Sequence, residues 1–132
     1  HINFATLLSE MGRFDEAIDS YDKAIALEPT VPLSYINRVH ALLRAGRPQE
    51  ALATAERAAE VGPKVPHAHL AKAQVLMALG QPEAALTAVD RTLTLAPKLA
   101  EAHRARAAVL KALGRAEEAK ASLDQAAALA QG

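Results

Sequence analysis

Apolar positions return along this chain at a fixed step. Ala17, Ala51, Ala85 and Ala119 stand 34 residues apart, and Ala24, Ala58, Thr92 and Ala126 keep the same interval. Between the two series lie Tyr21, Ala55, Val89 and Leu123. Offsets of four and three residues place each such trio on one face of a helix. Polar punctuation follows the same step. Gly12, Gly46, Gly80 and Gly114 share it, and each opens a near-copy of one motif: GRFDEA, GRPQEA, GQPEAA and GRAEEA. A period of this size signals a stack of small, similar units. The pattern predicts two antiparallel helices per unit, A and B, with A helices over 1–11, 33–45, 67–79 and 101–113. The B helices are expected over 14–27, 48–61, 82–95 and 116–130.

The boundaries have physical causes. A glycine at the end of each A helix supplies the left-handed residue that closes a helix. Pro48 and Pro82 fall where helix B begins, a place that favours proline. Acidic residues such as Asp15, Glu16, Glu50, Glu83, Glu117 and Glu118 complement the dipole of the first turn. Pro29, Pro63 and Pro97 stop the B helices, and Pro32 and Pro66 start the next A helices.

These residues together resemble the tetratricopeptide repeat family. The places it reserves for an alanine, an apolar residue and a closing proline hold Ala17, Tyr21 and Pro29, then Ala51, Ala55 and Pro63, then Ala85, Val89 and Pro97. The fourth copy keeps Ala119 and Leu123, with Gln131 in place of the proline. The resemblance implies an all-α, right-handed superhelix of four helix–turn–helix units in a single array over 1–132. The units are expected near 1–31, truncated at its start, then 32–65, 66–99 and 100–132. Two departures stand out. The family's frequent tryptophan is Tyr35, His69 and His103, and the leucine three residues later is Arg38, Lys72 and Arg106. Long basic stems cover apolar surface while the charge reaches water, so looser packing is expected there.

Composition narrows the function. Hydrophobic residues make up 51% but aromatics only 3%, so a thin core of closely approaching helices is expected. Lys and Arg number 15, Asp and Glu 15, for a net charge of zero. That balance argues against nucleic acid, which rewards a basic stripe, and no apolar run approaches a membrane span. Cysteine is absent, so disulfides and thiol chemistry are excluded and the compartment stays open. The chain starts at His1, inside a repeat, and reads as a piece of a longer protein.

The resemblance places the A helices on the concave side, where a partner binds. Carried over by position, the binding face holds Asn3, Ile36, Asn37, His40, Leu70, Gln74, Met77 and Arg104. Ile36, Leu70 and Met77 are expected to form its apolar centre, ringed by Asn37, His40, Gln74 and Arg104. Asn3 and Asn37 are equivalent positions whose amides can both donate and accept. A related subtype grips a carboxylate terminus with lysines, an arginine and asparagines. The corresponding places here are Ile2, Thr6, Asn37, His67 and Ala71, of which only Asn37 fits. A peptide or helix recognised by its apolar side chains is therefore the expected ligand.

No chemistry competes with that reading. The five histidines lack the spacing of a helical zinc site, since His67 and His69 are two apart. His40 and His67 both fall on the groove side, which gives pH sensitivity near the histidine pKa of about 6.5. No glycine-rich phosphate loop and no nucleophile elbow exist. Neither a cofactor nor a metal is expected. The expected function is a non-catalytic interaction scaffold. The alternatives are the partner-selecting part of a larger enzyme, which a catalytic domain in the full reading frame would support, and a self-assembly module acting end to end through Leu123 and Leu129.

Overall fold

The computed structural model describes residues 14–131, and side-chain surroundings through 130. Seven α-helices follow one another: α1 (Phe14–Leu27), α2 (Pro32–Arg44), α3 (Pro48–Val61), α4 (Pro66–Ala78), α5 (Pro82–Leu95), α6 (Ala100–Ala112) and α7 (Ala116–Gln131). The odd-numbered helices are the B helices and the even-numbered ones the A helices. The expected A helix over 1–11 and its closing Gly12 lie outside the described residues.

The described A helices begin and end one residue earlier than the pattern suggests, and for α2 and α4 the start has a clear reason. Pro32 and Pro66 are themselves the first helical residues, and each forces the residue before it out of the helical region. Val31 and Val65 are accordingly extended, at φ −98° and −90°. At the other end Ala45, Leu79 and Leu113 are the caps, and the glycine follows them. Gly46, Gly80 and Gly114 take φ of 75°, 73° and 78°. That turn lets the next N–H reach back across the last turn: Arg47 to Leu42 O and Gln81 to Leu76 O at 2.9 Å, and Arg115 to Leu110 O at 2.8 Å. Each glycine N–H closes a shorter loop, as Gly80 does to Met77 O at 3.1 Å. Three of the last four carbonyls of each described A helix are thus satisfied by backbone.

The core is built from small residues in register. Ala17, Ala51, Ala85 and Ala119 are all buried, and so are Leu42, Leu76 and Leu110 on the A helices. Alanine at the crossings lets the helix axes approach, and the leucines fill the space beside them. Leu123 breaks the series. Its equivalents Tyr21, Ala55 and Val89 are buried, whereas Leu123 is 51% exposed on the outer face of α7.

Helix contacts define the curvature. Each helix packs on its neighbour in sequence, and α2 also touches α4, as α4 touches α6. Among the described residues, successive B helices do not touch. The A helices therefore form the crowded inner layer and the B helices the spread outer layer.

The residues that depart from the family pattern, Lys72 apart, prove to be bonded positions. Tyr35 donates its hydroxyl to Pro29 O at 2.7 Å. His69 and His103 reach Pro63 O and Pro97 O from Nε2, both at 2.8 Å. A carbonyl can only accept, so Nε2 carries the proton in both rings. All three residues pin the turn that joins a B helix to the next A helix. At the leucine position, Arg38 donates from Nε to Asp22 at 2.6 Å and from a terminal nitrogen to Thr54 Oγ1. Arg106 does the same with Asp90 at 2.9 Å and Ser122 at 3.0 Å. One guanidinium thus joins α1, α2 and α3, and another joins α5, α6 and α7. Looser packing is the expectation at these two places, and a three-helix clasp stands there instead. Among the described residues, Lys72 makes no such bond.

Candidate binding groove

The concave wall is the set of A-helix faces turned away from the B helices. Equivalent positions on successive A helices show what each contributes. Ile36 and Leu70 correspond to Arg104. Ile36 and Leu70 belong to the buried core clusters and are only 6% and 2% exposed. Arg104 holds the same place on α6, where no described A helix follows, and it is exposed. The Ile36 and Leu70 side chains are thus buried in helix packing, and neither lines the open surface of the concave wall described below.

The open surface lies one position further round each helix. A groove of about 400 Å³ runs between α4 and α6, lined by Ala73, Gln74, Met77, Glu101, Arg104, Ala105, Ala108 and Val109. Gln74, Met77 and Arg104, all expected at the site, meet here. Met77 is half-buried, so its thioether offers an adaptable apolar contact. Ala105 and Ala108 make the floor shallow enough for a backbone to approach. Ala105 is a lining residue that sequence reasoning passes over, although it shares its repeat position with Asn37 and Ala71.

Asn37 is half-buried and His40 exposed, both on α2, towards the start of the same inner face. Neither lines the α4–α6 groove. Asn3 lies outside the described residues.

A titratable cluster crosses the three A helices. His67 on α4 approaches Glu101 on α6 at 4.0 Å, with both side chains about half exposed. His40 on α2 feels them both. Water still reaches its ring, but the walls of the concave face strip away enough hydration to lower its pKa from the ordinary value. Arg44 lowers it further, Glu101 opposes, and His67 adds a smaller lowering. A neutral, polar His40 is therefore the favoured state at neutral pH. Among the described residues no group of three or more His, Cys, Asp or Glu is placed to hold a metal ion. None of the described helices is long and apolar enough to cross a membrane.

A family model described as "Tetratricopeptide repeat" matches three overlapping windows, residues 2–66, 36–100 and 70–132. No curated protein matches the sequence. Among solved structures, the thermophilic tetratricopeptide protein TTC0263 of Thermus thermophilus superposes with a TM-score of 0.88 at 24% identity. The match covers 97% of this chain and 72% of that one. MamA superposes at 0.83 with 19% identity, covering 98% of this chain and 76% of MamA. Both likenesses concern the fold. The first tetratricopeptide domain of human RPAP3 superposes at 0.81 with 26% identity, over 87% of this chain and 91% of that domain. A first tetratricopeptide domain of RPAP3 has been solved with the HSP90 peptide SRMEEVD bound.

Proposed function

The chain belongs to the tetratricopeptide repeat family, and from that premise we propose that it is a non-catalytic scaffold holding a peptide or short helix of a protein partner in the α4–α6 groove. The observation that carries this reading is the groove itself. It combines an apolar floor of Ala105 and Ala108, a yielding Met77, and polar groups from Gln74, Glu101 and Arg104 at its rim. Few, convergent polar groups over apolar surface suit side-chain recognition of an extended or helical segment. The peptide-bound relative supports the general mode. The ligand differs in kind, because this chain lacks the basic clamp for a carboxylate terminus. Asn37 and His40 extend the contact surface along α2.

The test is peptide selection by display against the folded chain, followed by affinity measurement on two variants. Met77→Asp with Arg104→Ala alters the groove at accessible positions, unlike Leu70, whose replacement would disturb packing. Selected peptides should lose about tenfold or more in affinity, the equivalent of one or two good contacts. Arg91→Gln, on the outer side, should leave them unaffected. Equal binding to all three proteins would remove the groove from consideration. The bare Leu123 favours a second reading, self-association through α7. A mass that rises with concentration in wild type and stays monomeric in Leu123→Glu would support it.

A further inference from the structure

Three clefts lie at equivalent places, each where an A helix meets the B helices before and after it. The first, beside Arg38, encloses about 260 Å³, and the third, beside Arg106, about 230 Å³. The middle one, at α3, α4 and α5, encloses about 530 Å³. It opens on a different face of α4 from the groove, with His69, Lys72 and Leu76 lining it while Gln74 and Met77 line the other.

Side-chain chemistry explains the difference in size. In the first cleft Thr54 accepts from Arg38, and in the third Ser122 accepts from Arg106. The equivalent residue in the middle is Ala88, which has nothing to offer Lys72. Arg57 in the first cleft is paired with Glu60 at 3.0 Å. Its equivalent is Arg91, and the residue equivalent to Glu60 is Thr94. Lys72 and Arg91 thus both lack an ion pair or side-chain hydrogen bond to any described residue, and Glu56 is the one acid in the lining. Leu52, half-buried, and Ala84, exposed, supply apolar surface in the wall of the cleft. His69 closes the cleft from the side, held by Pro63 O.

We propose that the middle cleft is a second binding site, for a small organic acid whose apolar body rests on Leu52 and Ala84 and whose carboxylate is held by Lys72 and Arg91. The volume falls in the range of small-molecule sites. The surplus positive charge selects an anion, and the apolar base selects one with a hydrocarbon body over a bare inorganic ion. A carboxylate meeting two cations gains charge-assisted hydrogen bonds that a neutral analogue cannot form.

The test is amide-resolved NMR titration of the folded chain with 4-phenylbutyrate and, in parallel, its neutral amide. Saturable shifts are expected at Leu52, Ala84 and Arg91, with the acid binding about tenfold more tightly, the effect of one charge-assisted contact. Lys72→Gln with Arg91→Gln should erase that preference. Lys72→Arg with Ala88→Thr should rebuild the clasp seen at the other two junctions, close the cleft and abolish binding in a protein that remains folded. Equal affinity for acid and amide would overturn the proposal. So would shifts confined to Gln74, Met77 and Ala105, no saturable shift in the millimolar range, or binding that survives the cleft-closing pair.

Discussion

The junction around Arg38 and the junction around Lys72 occupy the same place in neighbouring repeats, yet they are built differently. At Arg38 an acid from the preceding helix and a hydroxyl from the following helix converge on one guanidinium. At Lys72 the hydroxyl has become Ala88 and no bond to Glu56 forms. The helices keep their places in both, because alanine and leucine packing beneath is common to them. Backbone stacking is therefore separable from the polar layer above it. A repeat can withhold its polar clasp without losing its fold, and the groups left over become available for something else.

The comparison is broken most severely from below. Leu42→Ala, in the closed junction, should cost about 3–5 kcal/mol, since its cavity has no opening through which to relax. Leu76→Ala borders the open cleft and should cost less, about 2–3 kcal/mol. Urea denaturation of the two variants checks the order, and equal losses would mean that the middle cleft gives no relief.

A smaller effect comes from the clasp itself. Arg38→Ala and Arg106→Ala should each destabilise by about 1–2 kcal/mol, because Thr54 and Ser122 are buried and lose their cationic donor. Lys72→Ala should fall within about 0.5 kcal/mol of wild type, as surface changes usually do. Thermal melts of the three proteins side by side decide it.

The graft sharpens the comparison from the other direction. Lys72→Arg with Ala88→Thr should stabilise by about 0.5–1 kcal/mol if the clasp is transferable. A loss on grafting would show that the middle helices are set too far apart to be joined.

The least effect belongs to His40, which differs between repeats as Gln74 and Ala108 follow it. Its pKa is lower folded than unfolded. The unfolded chain thus binds the proton more readily, and stability is lost as pH falls from the ordinary value of about 6.5 through the lower folded value. Melting temperature should decline slightly more steeply below pH 6.5 in wild type than in His40→Asn. Matching slopes would remove the effect.

Much of the fold is legible in the sequence, and particular residues explain where legibility ends. Pro48 and Pro82 mark their helix starts without ambiguity, and the structure places α3 and α5 where the pattern does. The single-residue offsets at the starts of α2 and α4 come from proline being inside the helix. The groove is partly legible. Gln74, Met77 and Arg104 converge as the repeat positions imply, but Ile36 and Leu70 do not reach the surface. Periodicity reports that a position is apolar; whether its cover is a ligand or the next helix depends on how closely the A helices stack. The clasp was also present as a signal, in the paired spacing of 16 residues from Asp22 to Arg38 to Thr54, repeated at Asp90, Arg106 and Ser122. That spacing has meaning only once each A helix is known to lie between two B helices.

The stack has an asymmetry with mechanical weight. The A helices brace one another directly, whereas consecutive B helices stand apart. In a beam so constructed the neutral axis runs along the braced edge. Bending leaves lengths there nearly unchanged and is taken up as strain at the opposite edge. The groove between α4 and α6 would then hold a constant gauge while the outer clefts widen and narrow. Clasps at Arg38 and Arg106 stiffen two of those three joints, so compliance concentrates at Lys72, in the middle of the span.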